Sequence, residues 1–289
     1  MIDVRLLRSN LDGVREALGR RGKPDVLAML DEAVRHDERS REITAERDTI
    51  RARVNELSKQ VGGLRREGKT SEAEALQAES RNLGDKEAAL SNEADTVHAA
   101  LRECLLRIPN LPHADAPSGA DDSENPVMKG PVNMPASFAD HQRVPHWETA
   151  VALGILDNER ATKISGAMFT MQRGLGATLS RALCQYALDM NADAFEEIRP
   201  PSLVTTATLT ATGQLPKFEQ DLFAVRGERP LYLIPTAEVP VTNIFRDVIV
   251  KTEDLPVKLC AYTPCFRREA GSYGAHVRGL NRLHQFDKV

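Results

Sequence analysis

A long helical repeat between residues 26 and 108 constrains the fold of this chain more than any other part of the sequence. The segment is rich in Ala, Glu, Arg and Leu, and its apolar residues recur at alternating spacings of about four and three, the seam of a coiled coil. The pattern predicts an antiparallel hairpin of two helices of roughly 35 residues, each about 50 Å long, with a short turn between them. Two glycine-containing breaks, at Gly62-Gly63 and Gly68-Lys69-Thr70, interrupt the seam between its halves. The seam comprises Ile50, Val54, Leu57, Val61 and Leu64, and then Leu76, Leu83, Leu90, Ala94, Val97, Leu101 and Ile108.

The predicted hairpin has too little core to be an enzyme by itself, and dimerisation or spacing is the usual role of such an element. Near its tip, the first helix is basic whereas the second is mostly acidic. One face of the first helix could therefore follow a phosphate backbone, a contact that positions a nucleic acid without reading its sequence. The candidate residues for this contact are Arg47, Arg51, Lys59, Arg65 and Arg66.

The composition is that of a soluble globular protein, since 41% of the 289 residues are hydrophobic and 28% are charged. The formal net charge of −4 gives no bulk argument for nucleic-acid binding, which would need a local basic face. The N-terminus lacks the apolar core of a signal peptide, and no run approaches the roughly 20 apolar residues of a membrane span. The four cysteines show no metal-ligand pairing, which favours reduced thiols in a cytoplasmic protein without a metal site of its own.

Proline and glycine divide the chain into two domains of ordinary size. Residues 1–108 form the helical domain, residues 109–145 a polar linker, and residues 146–289 the second domain. The helical domain opens with a short amphipathic helix that extends to about Arg21.

The second domain mixes predicted helices and strands. No Gly-rich phosphate loop occurs in it, so a doubly wound nucleotide fold has no support. The predicted elements are a helix from His146 through Leu153, a strand over Lys163–Met171, a helix over Leu175–Met190 and a strand over Phe195–Pro201.

Most of the residues whose chemical role can be inferred from the sequence lie in two runs near the C-terminus. The second of them predicts strand, loop and strand, in which the two-residue spacing of Arg267 and Glu269 directs both side chains to one face and the returning strand supplies Phe286. A guanidinium for a phosphate, a carboxylate for an exocyclic amine and a ring to stack on a base together suit a nucleotide. From the residues alone, a surface hairpin with a salt bridge is an equally good interpretation. The runs are Leu233-Ile234-Pro235-Thr236-Ala237-Glu238-Val239-Pro240, and Cys265-Phe266-Arg267-Arg268-Glu269-Ala270-Gly271-Ser272 with Arg282-Leu283-His284-Gln285-Phe286-Asp287.

These runs resemble a known enzyme family. Phe266-Arg267-x-Glu269 with Arg282-x-x-x-Phe286 resembles motif 2 of the class II aminoacyl-tRNA synthetases, and Thr236-Ala237-Glu238 resembles the amino-acid-binding loop of the seryl-tRNA synthetases. The stretch from Thr212 to Phe218, followed by Asp221-Leu222-Phe223, resembles another part of the same family. The resemblance implies an α+β fold: an N-terminal antiparallel helical hairpin that binds tRNA, followed by an incomplete class II antiparallel β-sheet domain with flanking helices.

The resemblance also implies a reaction, in which serine and ATP give seryl-adenylate and serine then passes to tRNA. The implied catalytic residue is Arg267, which holds the α-phosphate and the serine carboxylate, and Mg²⁺ bridges the ATP phosphates. Serine-binding residues are then Thr236, Ala237 and Glu238. ATP-binding residues are Arg267, Arg268, Glu269, Leu283 and Phe286, with Glu269 accepting from the adenine amine and Phe286 stacking on the ring.

The implied partners are L-serine, serine tRNA and a second copy of the chain, with selenocysteine tRNA left open as a further substrate. The homodimer follows from a helix, a strand and Pro201, which resemble motif 1 of the class II enzymes. No membrane is implied.

Three features depart from the family pattern. Ala275-His276-Val277 replaces a basic and acidic pair followed by threonine, and Asn281 stands where an apolar residue is usual. The chain also ends at Val289, before a serine-binding glutamate and before motif 3 with its second ATP-binding arginine. We therefore expect the N-terminal part of a serine–tRNA ligase, with negligible serine-dependent ATP–pyrophosphate exchange alone. The alternatives are a non-catalytic module that binds tRNA or a partner, and a purely structural coiled coil.

Overall fold

The computed structural model describes residues 2–119, 121–130, 137–271 and 279–289. Two compact units divide the chain, Met1–Gly130 and Pro131–Val289. The division lies within the segment predicted as a linker, and the limits of 109–145 for that linker stay a prediction. Within the described residues, no helix is both long enough and apolar enough to cross a membrane.

The first unit is built on the predicted helical hairpin, which the structure confirms. Its long arms are α3 (Pro24–Arg66) and α4 (Thr70–Arg107), which pack against each other along their length. Both helices exceed the predicted length, because α3 has 43 residues and α4 has 38. At 1.5 Å per residue these are about 65 Å and 57 Å long. A positive φ of 76° at Gly68 forms the turn between them.

Gly62-Gly63 do not break α3, contrary to the sequence interpretation. A glycine costs a helix interior only about 1 kcal/mol relative to alanine, and the packing between the two arms offsets that penalty. Leu57 is fully buried five residues earlier, so the paired segment is anchored close to the glycines.

The predicted helix up to Arg21 is two helices, α1 (Val4–Ser9) and α2 (Leu11–Gly19). Asn10 separates them because its side chain caps α2, accepting a hydrogen bond from the backbone N–H of Gly13 at 3.2 Å. Capping of this kind competes with a continuous helix, which explains why an apolar periodicity alone predicted one element.

The core of the first unit lies where α1 and α2 pack on the base of the hairpin. Beside it, the Asp37 carboxylate is 3% exposed and accepts from Arg8 at 2.6 Å and from Arg41 at 3.1 Å. Although burial alone would raise the pKa of Asp37, Arg8 and then Arg41 hold it below its ordinary value. The buried core consists of Ile2, Leu7, Val14, Leu18, Val26, Leu30, Ala33, Leu101, Cys104, Leu105 and Ile108.

In the described residues, the second unit combines helices with three small sheets, which agrees with the α+β prediction. Strand β2 pairs antiparallel with β4, which also pairs antiparallel with β3; β1 pairs parallel with β5; and β6 pairs antiparallel with β7. The helices are α5 (His146–Ala152), α6 (Asn158–Ser165), α7 (Leu175–Asn191), α8 (Thr206–Ala211) and α9 (Glu238–Asn243). The strands are β1 (Glu196–Glu197), β2 (Leu203–Thr205), β3 (Ala224–Val225), β4 (Leu231–Leu233), β5 (Leu259–Cys260), β6 (Thr263–Phe266) and β7 (Gln285–Lys288).

Two predicted strands of this unit differ from the structure. The segment Lys163–Met171 contains the end of α6 and a turn, because the Asp157 side chain caps α6 by accepting from the N–H of Arg160 at 3.1 Å. The segment Phe195–Pro201 contributes only the two residues of β1. Its prolines have no N–H to donate, which ends the pairing.

A small buried core in the second unit supports the start of α9. It comprises Val204, Leu209, Leu215, Leu222, Ile234 and Val239, with Tyr232 packed against it. Strand β4 and helix α9 both contribute to it, so the loop between them, residues 234–237, is held at two ends.

Candidate active site

The β6–β7 pair positions Arg267. Cys265 lies opposite Phe286 and Phe266 opposite Gln285 in this antiparallel pair, as expected of the two predicted strands, and part of the predicted loop between them lies outside the described residues. Just after β6, the backbone N–H of Arg267 donates to the carbonyl of His284 at 3.0 Å, and the His284 ring bonds the Arg267 carbonyl at 2.9 Å. Arg267 is therefore fixed by its backbone on both sides.

The Arg267 guanidinium joins the two C-terminal runs. Its Nε donates to the carbonyl oxygen of Pro235 at 3.2 Å, and its central carbon lies 5.1 Å from the centroid of the Phe286 ring. The second distance is that of a cation–π contact. The arginine thus connects the loop before α9 with the aromatic residue of β7, as the combined motifs suggested.

A cavity of 450 Å³ opens in front of Arg267, large enough for a small ligand. Thr236, Arg267 and Glu269 line it together, so three of the predicted site residues share one space. The remaining lining residues are Gln214, Phe218, Asp221, Leu222, Pro235, Ala270 and Arg282.

Glu269 reaches this cavity by a route that strand geometry did not predict. Strand β6 ends at Phe266, and Glu269 has a φ of 48°, in the left-handed region, so the alternation of side chains along a strand does not apply to it. Its carboxylate, 9% exposed, accepts from Arg282 at 3.0 Å. The sequence analysis placed Arg267 and Glu269 on one face because they are two residues apart on a strand. Both residues do line one cavity, but the alternation of side chains along a strand is not the cause.

Thr236 and Glu238 form a second polar group with Lys288. The Lys288 Nζ donates to Thr236 Oγ1 at 2.7 Å and to Glu238 Oε1 at 2.8 Å, and the Thr236 hydroxyl also donates to Glu238. Partial burial would raise the pKa of Glu238, but the hydrogen bonds from Lys288 and Thr236 together lower it to about 2. Glu238 is therefore ionised throughout the physiological range.

Replacing Lys288 by methionine is expected to raise the pKa of Glu238 toward its ordinary value of 4.5, because the largest stabilisation of its charged form is lost. A depressed pKa stabilises the fold above the unfolded value near 4.5 and loses that effect as the pH falls toward 2. The carboxyl carbon shifts of Glu238, followed by NMR from pH 7 to 2, measure the change. Lys251→Met, which removes the exposed partner of Glu253, is the control, and an unchanged Glu238 titration in Lys288→Met contradicts the prediction.

Other predicted site residues lie around the cavity without lining it. Ala237 and Glu238 line a neighbouring cavity of 360 Å³ together with Lys288. Leu283 and Phe286 line a third cavity, and Arg268 a fourth that it shares with Glu269. The predicted departure at Ala275-His276-Val277 lies outside the described residues.

Sequence reasoning assigned no role to Arg282, Lys288, Asp221 or Gln214. Arg282, Asp221 and Gln214 were within quoted motifs, and Asp221 holds the loop after β6 because its carboxylate accepts from the N–H of Ala270 at 2.9 Å. Lys288 could have been found from its position, because it follows Phe286 by two residues on the same strand and so shares its face.

Most of the candidate basic residues of the hairpin have partners of their own. Arg47 and Arg51 both contact Glu87 of α4, at 3.0 and 2.9 Å. Arg65 donates to Gln77 at 3.0 Å, whereas no pairing partner for Lys59 is found in the part of the chain that the structure describes. Phosphate contacts by Arg47 and Arg51 would therefore compete with Glu87.

Comparison with family models of known proteins first identifies the class of protein to which this chain is similar. Residues 1–112 match the family model of the seryl-tRNA synthetase N-terminal domain. Residues 218–289 match that of the tRNA synthetase class II core domain (G, H, P, S and T).

Relatives and solved structures narrow the class to one family. The chain is 43% identical to the serine–tRNA ligase of Thermotoga neapolitana, with all of this chain and 67% of the relative covered. The serine–tRNA ligase of Caldicellulosiruptor bescii is 45% identical, again with 67% covered. A crystal structure of seryl-tRNA synthetase from Pyrococcus horikoshii complexed with ATP matches with a TM-score of 0.79 and 28% identity, over all of this chain and 68% of that one. A Naegleria fowleri serine–tRNA ligase structure in complex with AMP, 23% identical over all of this chain and 69% of that one with a TM-score of 0.79, shows the same fold.

The chain belongs to the seryl-tRNA synthetase family, whose members are aminoacyl-tRNA ligases. It spans about two thirds of the length of the curated relatives it matches. The family, the α+β fold and the ligase class that the motifs suggested are thereby confirmed.

Proposed function

We propose that the cavity in front of Arg267, together with the adjoining cavities lined by Glu238, by Phe286 and by Arg268, binds ATP and serine and is the place where seryl-adenylate forms. The observation that carries this proposal is the position of Arg267, which bonds the carbonyl of Pro235 in the serine loop and contacts the Phe286 ring. A reacting phosphate and a serine carboxylate would then meet at one fixed cation, which is what a charge-separated transition state requires. The relative from Pyrococcus horikoshii, solved with ATP, supports a nucleotide as one ligand.

The ATP-binding residues of the proposal surround Arg267. Phe286 would stack on the adenine ring, and Arg268 and Leu283 would contact the bound nucleotide. Glu269 would accept from the adenine amine while keeping its contact with Arg282, since a carboxylate has about four acceptor sites. Its burial favours this role, because a weakly exposed, oriented carboxylate discriminates between bases more sharply than a mobile one.

The serine-binding residues of the proposal are Thr236, Ala237 and Glu238. An ionised Glu238 suits the α-ammonium of an amino acid, and the Thr236 hydroxyl suits a small polar side chain. Lys288 orients both residues before a ligand arrives. Preorganisation of this kind reduces the ordering that binding requires.

Mg²⁺ belongs to the proposal as an ion that enters with ATP. The carboxylates that line the cavity are Asp221, which bonds the N–H of Ala270, and Glu269, which bonds Arg282. Each retains acceptor capacity and is of the oxygen type that Mg²⁺ prefers. When bound, the ion would neutralise charge on the phosphates.

The proposal is tested by binding of non-reactive adenylate analogues in which a sulfamoyl group replaces the phosphate. The seryl analogue is expected to bind the 289-residue chain at least tenfold more tightly than the alanyl analogue, because the alanyl group leaves the polar groups around Thr236 unpaired. Isothermal titration calorimetry measures both affinities. Thr236→Val should remove the difference between the analogues, and equal binding of both analogues by the unaltered chain would refute a serine site here.

The helical hairpin is proposed to bind serine tRNA through its basic face. The match of residues 1–112 to the N-terminal domain model supports this assignment, and so does the basic character of α3 near the tip. Such contacts read the shape and backbone of an RNA, and selenocysteine tRNA of similar shape would be accepted on the same grounds. The four cysteines are free thiols, which supports a cytoplasmic location.

We also propose a homodimer formed through α7. None of its residues is buried, yet a stripe of large apolar side chains follows one face: Leu175, Leu179, Leu183, Tyr186 and Met190, 56–79% exposed. An exposed stripe of this size on a helix is typical of a protein interface. The position of α7 before β1 and Pro201, as in the motif 1 pattern, supports a second copy as the partner.

Leu179→Glu with Leu183→Glu is expected to convert the dimer to a monomer, because two buried carboxylates without partners cost several kcal/mol at an interface. Sedimentation velocity at micromolar concentration measures the mass. Ile249→Glu, at a position 98% exposed, is the control and should leave the dimer intact. An unaltered chain that sediments as a monomer contradicts the proposal.

A further inference from the structure

Three side chains with different metal-binding atoms converge on the hairpin of the first unit. Glu32 and His36 lie four residues apart and therefore on one face of α3, and Cys104 faces them from α4. One ligand atom from each, a carboxylate oxygen, an imidazole nitrogen and the thiol sulfur, lies within 4.8 Å of the other two.

The spacing of these groups is within ion-pair range for His36 and Glu32, and it is also close to that of a metal site. His36 Nε2 and Glu32 Oε1 are 3.8 Å apart, beyond a hydrogen bond. Ligands of a tetrahedral Zn²⁺ would be about 3.5 Å apart, given metal–sulfur and metal–nitrogen bonds near 2.3 and 2.0 Å. The Glu32 side chain is 52% exposed, so its carboxylate can move by the remaining ångström without disturbing the packing.

The surroundings favour an ion that also keeps a water ligand. Cys104 is 8% exposed and belongs to the apolar core at the base of the hairpin, whereas His36 and Glu32 lead from that core to solvent. A sulfur, a nitrogen and an oxygen form a borderline donor set, which suits Zn²⁺ better than Mg²⁺ or Ca²⁺. Nearby, Arg107 is neutralised by Glu103 at 2.7 Å, which reduces its repulsion of a cation.

We propose that Glu32, His36 and Cys104 bind a divalent transition-metal ion, Zn²⁺ by its chemistry, with water as the fourth ligand. On binding, the Cys104 thiol transfers its proton to solvent and the thiolate forms the metal–sulfur bond, with no change of oxidation state. The ion links α3 to α4 where the hairpin leaves its core. The sequence interpretation expected no metal because it searched for paired cysteines, whereas this set contains one cysteine from a distant part of the chain.

The test uses Co²⁺ as a spectroscopic probe and then Zn²⁺, with the reduced, chelator-treated 289-residue chain lacking any affinity tag. One equivalent of Co²⁺ is expected to produce the thiolate-to-cobalt charge-transfer band and the visible absorption of a four-coordinate ion. Zn²⁺ should abolish both by displacement. Absence of the thiolate band from the unaltered chain overturns the proposal, and so does Co²⁺ binding without it.

Variants assign the band to this cluster. Cys104→Ser should eliminate it, and His36→Gln and Glu32→Gln should each weaken Co²⁺ binding at least tenfold. Cys184→Ser, which alters a thiol on α7, is the matched control and should change nothing. Cys104 is buried, so its variant can fail to fold. In that event the His36→Gln variant is the test, once circular dichroism has shown that it is helical. Unchanged Co²⁺ binding by His36→Gln overturns the proposal. A band retained in Cys104→Ser or lost in Cys184→Ser overturns it as well.

Discussion

Arg267→Ala is expected to weaken binding of the seryl-adenylate analogue by about 30- to 4,000-fold. Loss of one partner from a buried, hydrogen-bonded charge pair costs roughly 2–5 kcal/mol, and each 1.4 kcal/mol is tenfold in affinity. Arg267→Lys should be intermediate, because an ammonium restores the charge but not the fork that bonds Pro235 and a phosphate together. Isothermal titration calorimetry with the analogue measures both variants.

Two controls establish whether the loss of binding is specific to Arg267. Arg226→Ala, an exposed arginine after β3, removes the same charge elsewhere in the second unit and should bind as the unaltered chain does. Circular dichroism and thermal unfolding establish that Arg267→Ala is folded. If a folded Arg267→Ala variant binds the analogue within threefold of the unaltered chain, Arg267 is not the central cation of the site.

The second large effect is expected for tRNA binding by the helical hairpin. Replacement of Lys59, Arg65 and Arg66 by glutamine is expected to weaken serine tRNA binding about a hundredfold at physiological salt. Three phosphate contacts would be lost, each of which contributes roughly 0.7–0.9 to the slope of log affinity against log salt concentration. That slope should therefore fall by about 2 to 3. Filter binding at salt concentrations from about 50 to 300 mM, over which the screening of charges changes strongly, measures the affinity and the slope together.

The matched control removes three exposed cations from the other helix. Arg81, Lys86 and Arg102 of α4 changed to glutamine alter the net charge by the same amount. A small loss is expected from that variant, through the overall field alone. Equal losses in the two triple variants would show that total charge, and not the basic face of α3, governs binding.

The hairpin was predictable because its signal is local. Apolar residues at spacings of four and three specify a helical seam, and positive φ at Gly68 places the turn where the sequence broke. Its length was underestimated because Gly62-Gly63 count against a helix in isolation, whereas packing against α4 decides the matter in the fold. The division at Asn10 was missed because one capping hydrogen bond outweighed an apolar periodicity.

The active-site geometry was predictable only in part. Motif resemblance brought Thr236, Arg267 and Glu269 together, and all three line one cavity. Strand alternation could not give the orientation of Glu269, because a left-handed residue after β6 redirects the chain. Lys288 and Arg282 escaped notice because their roles depend on partners that only folding brings close, such as Glu238, 50 positions earlier in the chain.

The lowered pKa of Glu238 restricts the chemistry open to the loop before α9. A carboxylate that holds its negative charge down to about pH 2 is a poor proton acceptor at neutrality, which disfavours a general-base role for Glu238. Lys288, against the same oxygens, keeps it so. In the proposed serine site, recognition by Glu238 would therefore rest on a permanent charge and would not vary across the physiological pH range.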